Sequence, residues 1–489
     1  MSGNIYLNQS IPLLFGTPTA KASNWAIAIS LFVMVGAIFS YALVNVVERF
    51  PFFGFISVLL IIHCIAALTS TGVNLLYIFR YMLVWLLIFV AAAVFALYQG
   101  EVLLNWFGVQ YQSVKNTQTL VMAGVFSLCG SLIGWHSSMK KLHKLKHVSF
   151  TMCTWKKKRF QQVGFLMSFG FAALYLWNSG GISGSSRAYG DNDGGLELTF
   201  GVFNIFHFIG IALLILSAIK KIEINRKIIL LGVLSLIPGI LTGSRADYLP
   251  QIFILLILLA NSRIIETLKN KDYSRVFYYA LIGVLLVVIG YFVATFMAIW
   301  RVGSLEVIDV FNLMLAEKGV SLIREINGKE IIFLETGNMI LGGLYSAIVQ
   351  VREEHTGLLF GESYFNYFLN APPAFLGLPR PEGLEWLTEI NGVIMTQGGI
   401  FEVAEAYWNF GLIGCFVVSF GLSYFFGYLL RRGVTRSNYF FLVWFFVFGF
   451  HGFRSIWYQN FSYFRLLTIM LIVYIFCMIF AKWTVSDGK

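Results

Sequence analysis

A helical membrane protein with about a dozen transmembrane spans is the fold class this sequence predicts, and three observations carry it. Hydrophobic residues make up 58% of the 489-residue chain and charged residues only 12%, against roughly a quarter charged in soluble domains. Mean hydropathy is +0.76. Apolar runs near the ~20 residues needed to cross a bilayer recur along most of the length. The formal charge of +11 does not point to nucleic acid, because the basic residues fall between apolar runs, where they orient spans relative to the membrane. The N-terminus lacks the basic, apolar and small-residue order of a removable signal peptide. The first span is therefore expected to act as the targeting signal.

In chain order, spans are expected over 25–47, 53–70, 75–98 and 117–135. They continue over 162–177, 198–219, 228–242, 248–260 and 276–299, and end with 408–430, 439–453 and 462–483. The seventh and eighth are short, are separated only by Gly243-Ser244-Arg245-Ala246-Asp247, and contain or abut Pro238 and Pro250. Either they are bent helices in a thin membrane, or they form a broken pair dipping partway, which requires protein or a wet cavity around the freed backbone. Basic clusters follow the even-numbered spans: Lys140 to Arg159 after the fourth, Lys220 to Lys227 after the sixth, Arg263 to Arg275 after the eighth, and Arg431, Arg432 and Arg436 after the tenth. By the positive-inside rule those loops and both termini are cytoplasmic. The run 331–351 competes for a further span, but it carries Glu335, Asn338 and several glycines and would invert the last cluster, so it is expected to lie along or dip into the interface.

The domain division that follows is 1–300 with spans one to nine, an extracytoplasmic loop domain over 301–407, and 408–489 with the last three spans. Cys64, Cys129, Cys415 and Cys477 fall within spans and Cys153 in a basic loop, so no disulfide framework is expected outside. There is no CxxC, HExxH, Walker-type loop or metal-ligand spacing, so neither metal nor cofactor is implied.

Three outer segments carry the polar chemistry. Residues 178–197 are rich in Gly and Ser and include Arg187, Asp191 and Asp193, which suits a mobile lid. The turn at Ser244-Arg245-Ala246-Asp247 is the second. The third, 301–407, carries Arg301, Arg324, Arg352 and Arg380, and four of the nine prolines lie between Pro372 and Pro381, which makes a rigid turn. Guanidinium forks just outside a membrane suit a lipid diphosphate, since they bind phosphate bidentately at any relevant pH. Snorkelling to ordinary headgroups is the competing explanation for each. Arg245, in its tight turn, and Arg454, with His451 at the outer end of span eleven, each need a counter-ion, a wet cavity or a ligand. An unpaired charge in the apolar zone costs about 2.5–3.5 kcal/mol.

The segment 398–414, GGIFEVAEAYWNFGLIG, stands at the mouth of span ten. Glu402, Glu405 and Asn409 recur at spacings of three and four and share one helix face. Two readings stay open: acidic residues complementing a helix N-terminus, or a site in which a carboxylate handles an acceptor. Tyr407 and Trp408 likewise suit either a sugar-facing or an interfacial role.

The pattern Glu405-Ala406-Tyr407-x-Asn409-Phe410-Gly411, with Gly414 three positions on, resembles the E-x-Y-x-N-F-G-x-x-G signature of Wzy-type polymerases of bacterial surface polysaccharides. Thr242-Gly243-Ser244-Arg245 is similar to the T-x-S-R turn of O-antigen polymerases and ligases. Phe360-Gly361-Glu362-Ser363-Tyr364 before Pro372-Pro373 is similar to their Gly-x-Ser-Tyr element. The resemblance covers roughly 228–483. It implies a GT-C-like fold in the bacterial inner membrane and a metal-independent glycosyltransferase that joins undecaprenyl-diphosphate-linked repeat units. A chain-length regulator and membrane lipids are the implied partners, and nucleic acid is not among them. Under that resemblance Glu405, Glu402 or His451 handles the acceptor proton, and Arg245, Arg454, Arg187 and Arg301 hold the diphosphate. Tyr407, Asn409, Tyr364, Trp386 and Arg380 would then meet sugars. An O-antigen ligase or a lipid-linked oligosaccharide flippase are the alternatives; the Glu405 motif disfavours the first, and the long loop between spans nine and ten disfavours the second.

Overall fold

The computed structural model describes residues 4–6, 20–43, 49–70, 74–97, 114–140, 149–151, 154–178, 197–219, 225–241, 251–252, 254–259, 274, 323–326, 329–332, 335–352, 357–366, 369, 401–458, 463–464 and 466–475. Its long helices are α1 (Ala20–Leu43), α2 (Arg49–Ser70), α3 (Leu75–Leu97), α4 (Val114–Met139), α5 (Thr154–Asn178), α6 (Glu197–Ala218), α7 (Arg226–Leu241), α8 (Glu335–Arg352), α9 (Glu402–Thr435) and α10 (Tyr439–Tyr458). Two small antiparallel ribbons accompany them. Strand β1 (Asn4–Tyr6) pairs with β2 (Ser149–Thr151), and β3 (Ile323–Ile326) pairs with β4 (Lys329–Ile332). The chain is thus helical but not wholly so: these four strands qualify the all-α expectation. The span expected over 276–299 lies outside the described residues.

Five of the described helices are long and apolar enough to cross a membrane: Ala20–Ala42, Phe52–Ser70, Leu76–Ala93, Lys115–Met139 and Glu402–Thr435. Large apolar side chains are exposed along them, as lipid contact requires: Trp25, Phe32, Val35 and Phe39 on α1, and Phe55, Val58, Ile62 and Ile65 on α2. Local sequence fixes several starts. Asn74 caps α3 through Oδ1, which accepts from the Tyr77 N–H at 3.2 Å, and Asn438 does the same for the α10 amide of Phe440 at 3.0 Å.

Interhelical contacts give the relative directions. Helix α1 runs against α4, with Ser23 meeting His136 and Tyr41 meeting Thr119. Helix α2 runs against α3 through Cys64 and Met82 and through Leu60 and Trp85, and α3 runs against α4, where Tyr77 stacks on Trp135 and Ile88 faces Gly124. Helices α4 and α9 are parallel: Ser127 bonds Ser419 and Ser131 bonds Ser423, both at 2.7 Å.

That α4–α9 pair is the tightest seam of the bundle, and small residues make it possible. A Cβ at Gly130 or Gly134 would overlap the carbonyl oxygen of Phe416 or Phe420, and one at Gly427 would overlap the Ser138 hydroxyl. This is small-x-x-x-small packing, in which backbone contact substitutes for a hydrophobic drive that lipid does not supply. A second such crossing joins α5 to α6, where Gly164, Ser168 and Gly210 abut and His207 Nδ1 donates to the Ser168 carbonyl at 2.7 Å. Because the seam rests on backbone approach, its serines contribute little. Ser127→Ala should lower thermal stability in detergent by only about 0.6 kcal/mol, the mean for interhelical hydrogen bonds in membranes.

Helix α8 occupies part of the run 331–351. It packs on α9, α4 and α3 with Leu344, Tyr345, Ala347 and Ile348 buried. At its end Arg352 reaches α4, donating to the Lys115 carbonyl at 3.2 Å and the Thr119 hydroxyl at 3.1 Å.

Candidate functional site

The segment singled out in the sequence as the mouth of span ten is built differently from a simple helix entrance. Helix α9 is broken at Phe410 (φ −140°, ψ 15°) and Gly411 (φ 64°, ψ −153°). The Gly411 conformation is one that essentially only glycine adopts. Beyond the break the chain reverses. A Cβ at Gly414 would overlap the Ala406 carbonyl oxygen, and the Cys415 thiol lies 3.6 Å from the Val403 carbonyl oxygen. In a straight helix those partners would be about 12 and 18 Å apart at 1.5 Å per residue. Residues 402–409 therefore form a half-helix folded back against the 412–435 arm, which alone is long enough to span. The expected span over 408–430 is corrected accordingly: it starts after Gly411, and Glu402, Glu405 and Asn409 lie on a separate arm packed inside the bundle.

At the tip of this hairpin the break frees backbone carbonyls, and a neighbouring loop takes them. The Leu359 N–H donates to the Trp408 carbonyl at 3.1 Å and the Phe360 N–H to the Asn409 carbonyl at 3.0 Å. The next amide, Gly361, donates to Asn409 Oδ1 at 3.0 Å. The Ser363 hydroxyl then donates to Glu405 Oε1 at 2.9 Å and accepts from Asn409 Nδ2 at 2.6 Å. Ser363, Glu405 and Asn409 are all buried, at 1%, 2% and 0% exposure. Phe410 completes the contact, stacking with Tyr364 at 6.2 Å while its ring edge covers Gly361. Tyr364 also faces Phe464 at 5.8 Å.

At the root of the half-helix Glu402 forms a buried ion pair with Arg80 of α3. Arg80 also points its Nε at the Gly452 carbonyl, 3.4 Å away, and lies 5.7 Å from the Tyr463 ring centroid. Contacts of Tyr77 with Ser131 and of Ile88 with Gly124 bracket Arg80, which places the pair beside the middle of α4. Below it is a cavity of about 20 Å³ lined by Tyr77, Arg80, Ser423, Phe448, Gly449 and Tyr463, room for roughly one water. A second polar cluster lies between α1, α2 and α3, where His63 bonds Ser30 at 2.9 Å and Tyr81 at 2.5 Å.

Of the residues expected to act, the structure thus brings Glu405, Asn409 and Tyr364 together around Ser363, and sets Glu402 apart on Arg80. Tyr407 is buried in the half-helix. His451 is buried too, but its ring meets Phe208 of α6 at 5.8 Å, and α10 continues past it to Tyr458. Arg454 falls on the last turns of α10. Arg187, Arg245, Arg301, Arg380 and Trp386 lie outside the described residues. Among the described residues, no group of His, Cys, Asp or Glu side chains has a metal-binding arrangement.

Two residues escaped sequence reasoning. Arg80 carried a signal, a lone charge inside the apolar run of α3, where an unpaired cation costs about 2.5–3.5 kcal/mol. Ser363 stood out only as a member of the Gly-x-Ser-Tyr resemblance, with no role of its own. Together the long apolar helices and buried polar contacts define a multi-pass helical membrane protein. No family model, curated protein or solved structure matches the chain.

Proposed function

We propose that this protein is an integral-membrane glycosyltransferase of the repeat-unit polymerase kind, working on undecaprenyl-diphosphate-linked oligosaccharides at the outer face of the bacterial inner membrane. One observation carries the reading. Two separate stretches that resemble that family, 360–364 and 405–414, are hydrogen-bonded to each other through Ser363, Gly361, Glu405 and Asn409. Unrelated chance matches have no reason to meet. The GT-C-like arrangement with about a dozen spans and cytoplasmic termini belongs to the same reading. It is in keeping with the parallel course of α4 and α9, which demands an odd number of crossings between them; the topology supplies spans five to nine. The β1–β2 ribbon joins two segments that this topology puts on one side.

In the reaction, an acceptor hydroxyl oxygen attacks the anomeric carbon of the growing chain, the bond from that carbon to the carrier phosphate breaks, and the lipid diphosphate leaves. Arginines stabilise its developing charge, and Arg245, Arg454, Arg187 and Arg301 are assigned to it. Glu405 is buried against Ser363, so we assign it to positioning: it holds the 357–366 loop on the hairpin next to the acceptor side. Glu402 is held by Arg80 at the root of the half-helix, so taking the acceptor proton is assigned to His451.

Deleting the gene and running the surface polysaccharide on a gel tests the reading. A ladder collapsing to one repeat unit supports it; loss of every capped species indicates a ligase, accumulation of lipid-linked units on the inner leaflet indicates a flippase, and an unchanged ladder rejects all three. At the residue level, Ser363→Ala removes a bond to a carboxyl group worth about 1–3 kcal/mol. With the protein at normal level, it should shorten the ladder.

A further inference from the structure

We propose that the 357–366 loop is seated in the bilayer, with Phe360 and Phe365 immersed in lipid, so that the Ser363–Glu405–Asn409 cluster is held at the membrane boundary rather than in open solvent. The inference rests on the membrane fold and not on the polymerase reading.

The loop turns Ser363 and Asn366 inward and its two phenylalanines outward, with Glu362 exposed between them at the level of the headgroups. Ser363 and Asn366 are buried, while Phe360 is 78% and Phe365 61% exposed. Water-facing loops do not ordinarily display two phenylalanines in this way. Phe360 does so from a left-handed backbone, φ 48°, which is unusual for a bulky residue. Its N–H bond to the Asn409 carbonyl holds it there, and such strain persists only where surroundings enforce it.

The occupant is identified by what the patch continues. On the 412–435 arm the exposed positions between the break and residue 424 are Ile413, Val417, Gly421 and Tyr424. Their spacing of four, four and three makes one helical stripe without a charge. On a membrane-crossing helix that stripe meets acyl chains. Phe410, 40% exposed, extends it to the hairpin tip, where its ring covers Gly361 of the loop. Phe360 and Phe365 prolong the same apolar surface. The level is right as well, since Arg352, just ahead of the loop, contacts Lys115 and Thr119 in the first turns of α4.

Site-directed spin labelling tests this in the full-length protein reconstituted into phosphatidylethanolamine and phosphatidylglycerol vesicles. Cys64, Cys129 and Cys415 are buried and stay in place; Cys153 and Cys477 are replaced by Ser, and the parent without added cysteine must carry no label. Nitroxides at Phe360→Cys and Phe365→Cys are compared with Ile413→Cys as the lipid reference and Arg436→Cys as the water reference. The expected result is relaxation by oxygen with shielding from a water-soluble nickel chelate, as at position 413. Relaxation by nickel as at position 436 overturns the proposal. Protection from both reagents overturns it too, since the patch would then be covered by protein, a second copy included. Two labelled sites keep the test decisive if one substitution disturbs the strained turn.

Discussion

Arg80→Met is expected to lower the stability of the purified protein by about 3–5 kcal/mol, whereas the double variant Arg80→Met, Glu402→Leu recovers most of that loss. The reasoning starts from desolvation. Two charges withdrawn from water return their hydration only by mutual attraction, so a buried pair contributes little net stability over apolar residues of similar volume. Removing one partner is another matter, because the remaining charge is buried without compensation. Arg80 and Glu402 fit this case: their side chains are 14% and 6% exposed and lie beside the middle of α4. The thermal midpoint for loss of monodisperse protein in detergent measures both variants. Equal losses in the single and double variants would show that the pair is not what holds the half-helix root. Lys is not an equivalent replacement, since Arg80 also spreads over the Tyr463 ring and reaches the Gly452 carbonyl.

This pair also shows where the sequence stops being informative. The spans of α1 to α4 were legible because lipid solvation writes hydropathy directly into composition; the expected 53–70 and 75–98 differ from α2 and α3 by a few residues. The hairpin in α9 was not. A glycine in GLIG reads like any other glycine in a span, and the apolar run continues through Gly411 without a polar break, so hydropathy cannot register a reversal of direction. The partner of Glu402 is 322 residues away, and no local spacing links the two. The Ser363 contact was half legible: the segment around it stood out by resemblance, and so did Glu405 and Asn409, but only the folded chain joins them. The cost of an unpaired charge weighs more on Arg80, inside the apolar run of α3, than on arginines near the outer ends of spans.

Gly414→Ala is expected to cost the most function for the fewest atoms. The added methyl has no free space: it would overlap the Ala406 carbonyl oxygen, fixed by helical backbone, and crowd the Phe410 Cβ at the break, so the half-helix must move away from the 412–435 arm. Overpacking of this kind costs about 1–3 kcal/mol in stability, which the bundle can survive, because the α4–α9 seam at Ser127, Gly130, Ser131 and Gly134 lies further down the arm. Function depends on finer tolerances. A displacement near 1 Å would draw Glu405 and Asn409 away from Ser363 and loosen Glu402 from Arg80 together, and misplacement on that scale costs on the order of 10²-fold in rate. If the protein is the polymerase proposed above, the expected phenotype is a protein present in the membrane at near-normal level, with long-chain polysaccharide reduced to the first rungs of the ladder. Gly421→Ala is the matched control: it lies on the same arm, with nothing within 4 Å of an added Cβ, and should leave the ladder intact. If Gly414→Ala and Gly421→Ala behave alike, the close fold-back of the half-helix does not control the reaction, and the positioning role of Glu405 falls with it.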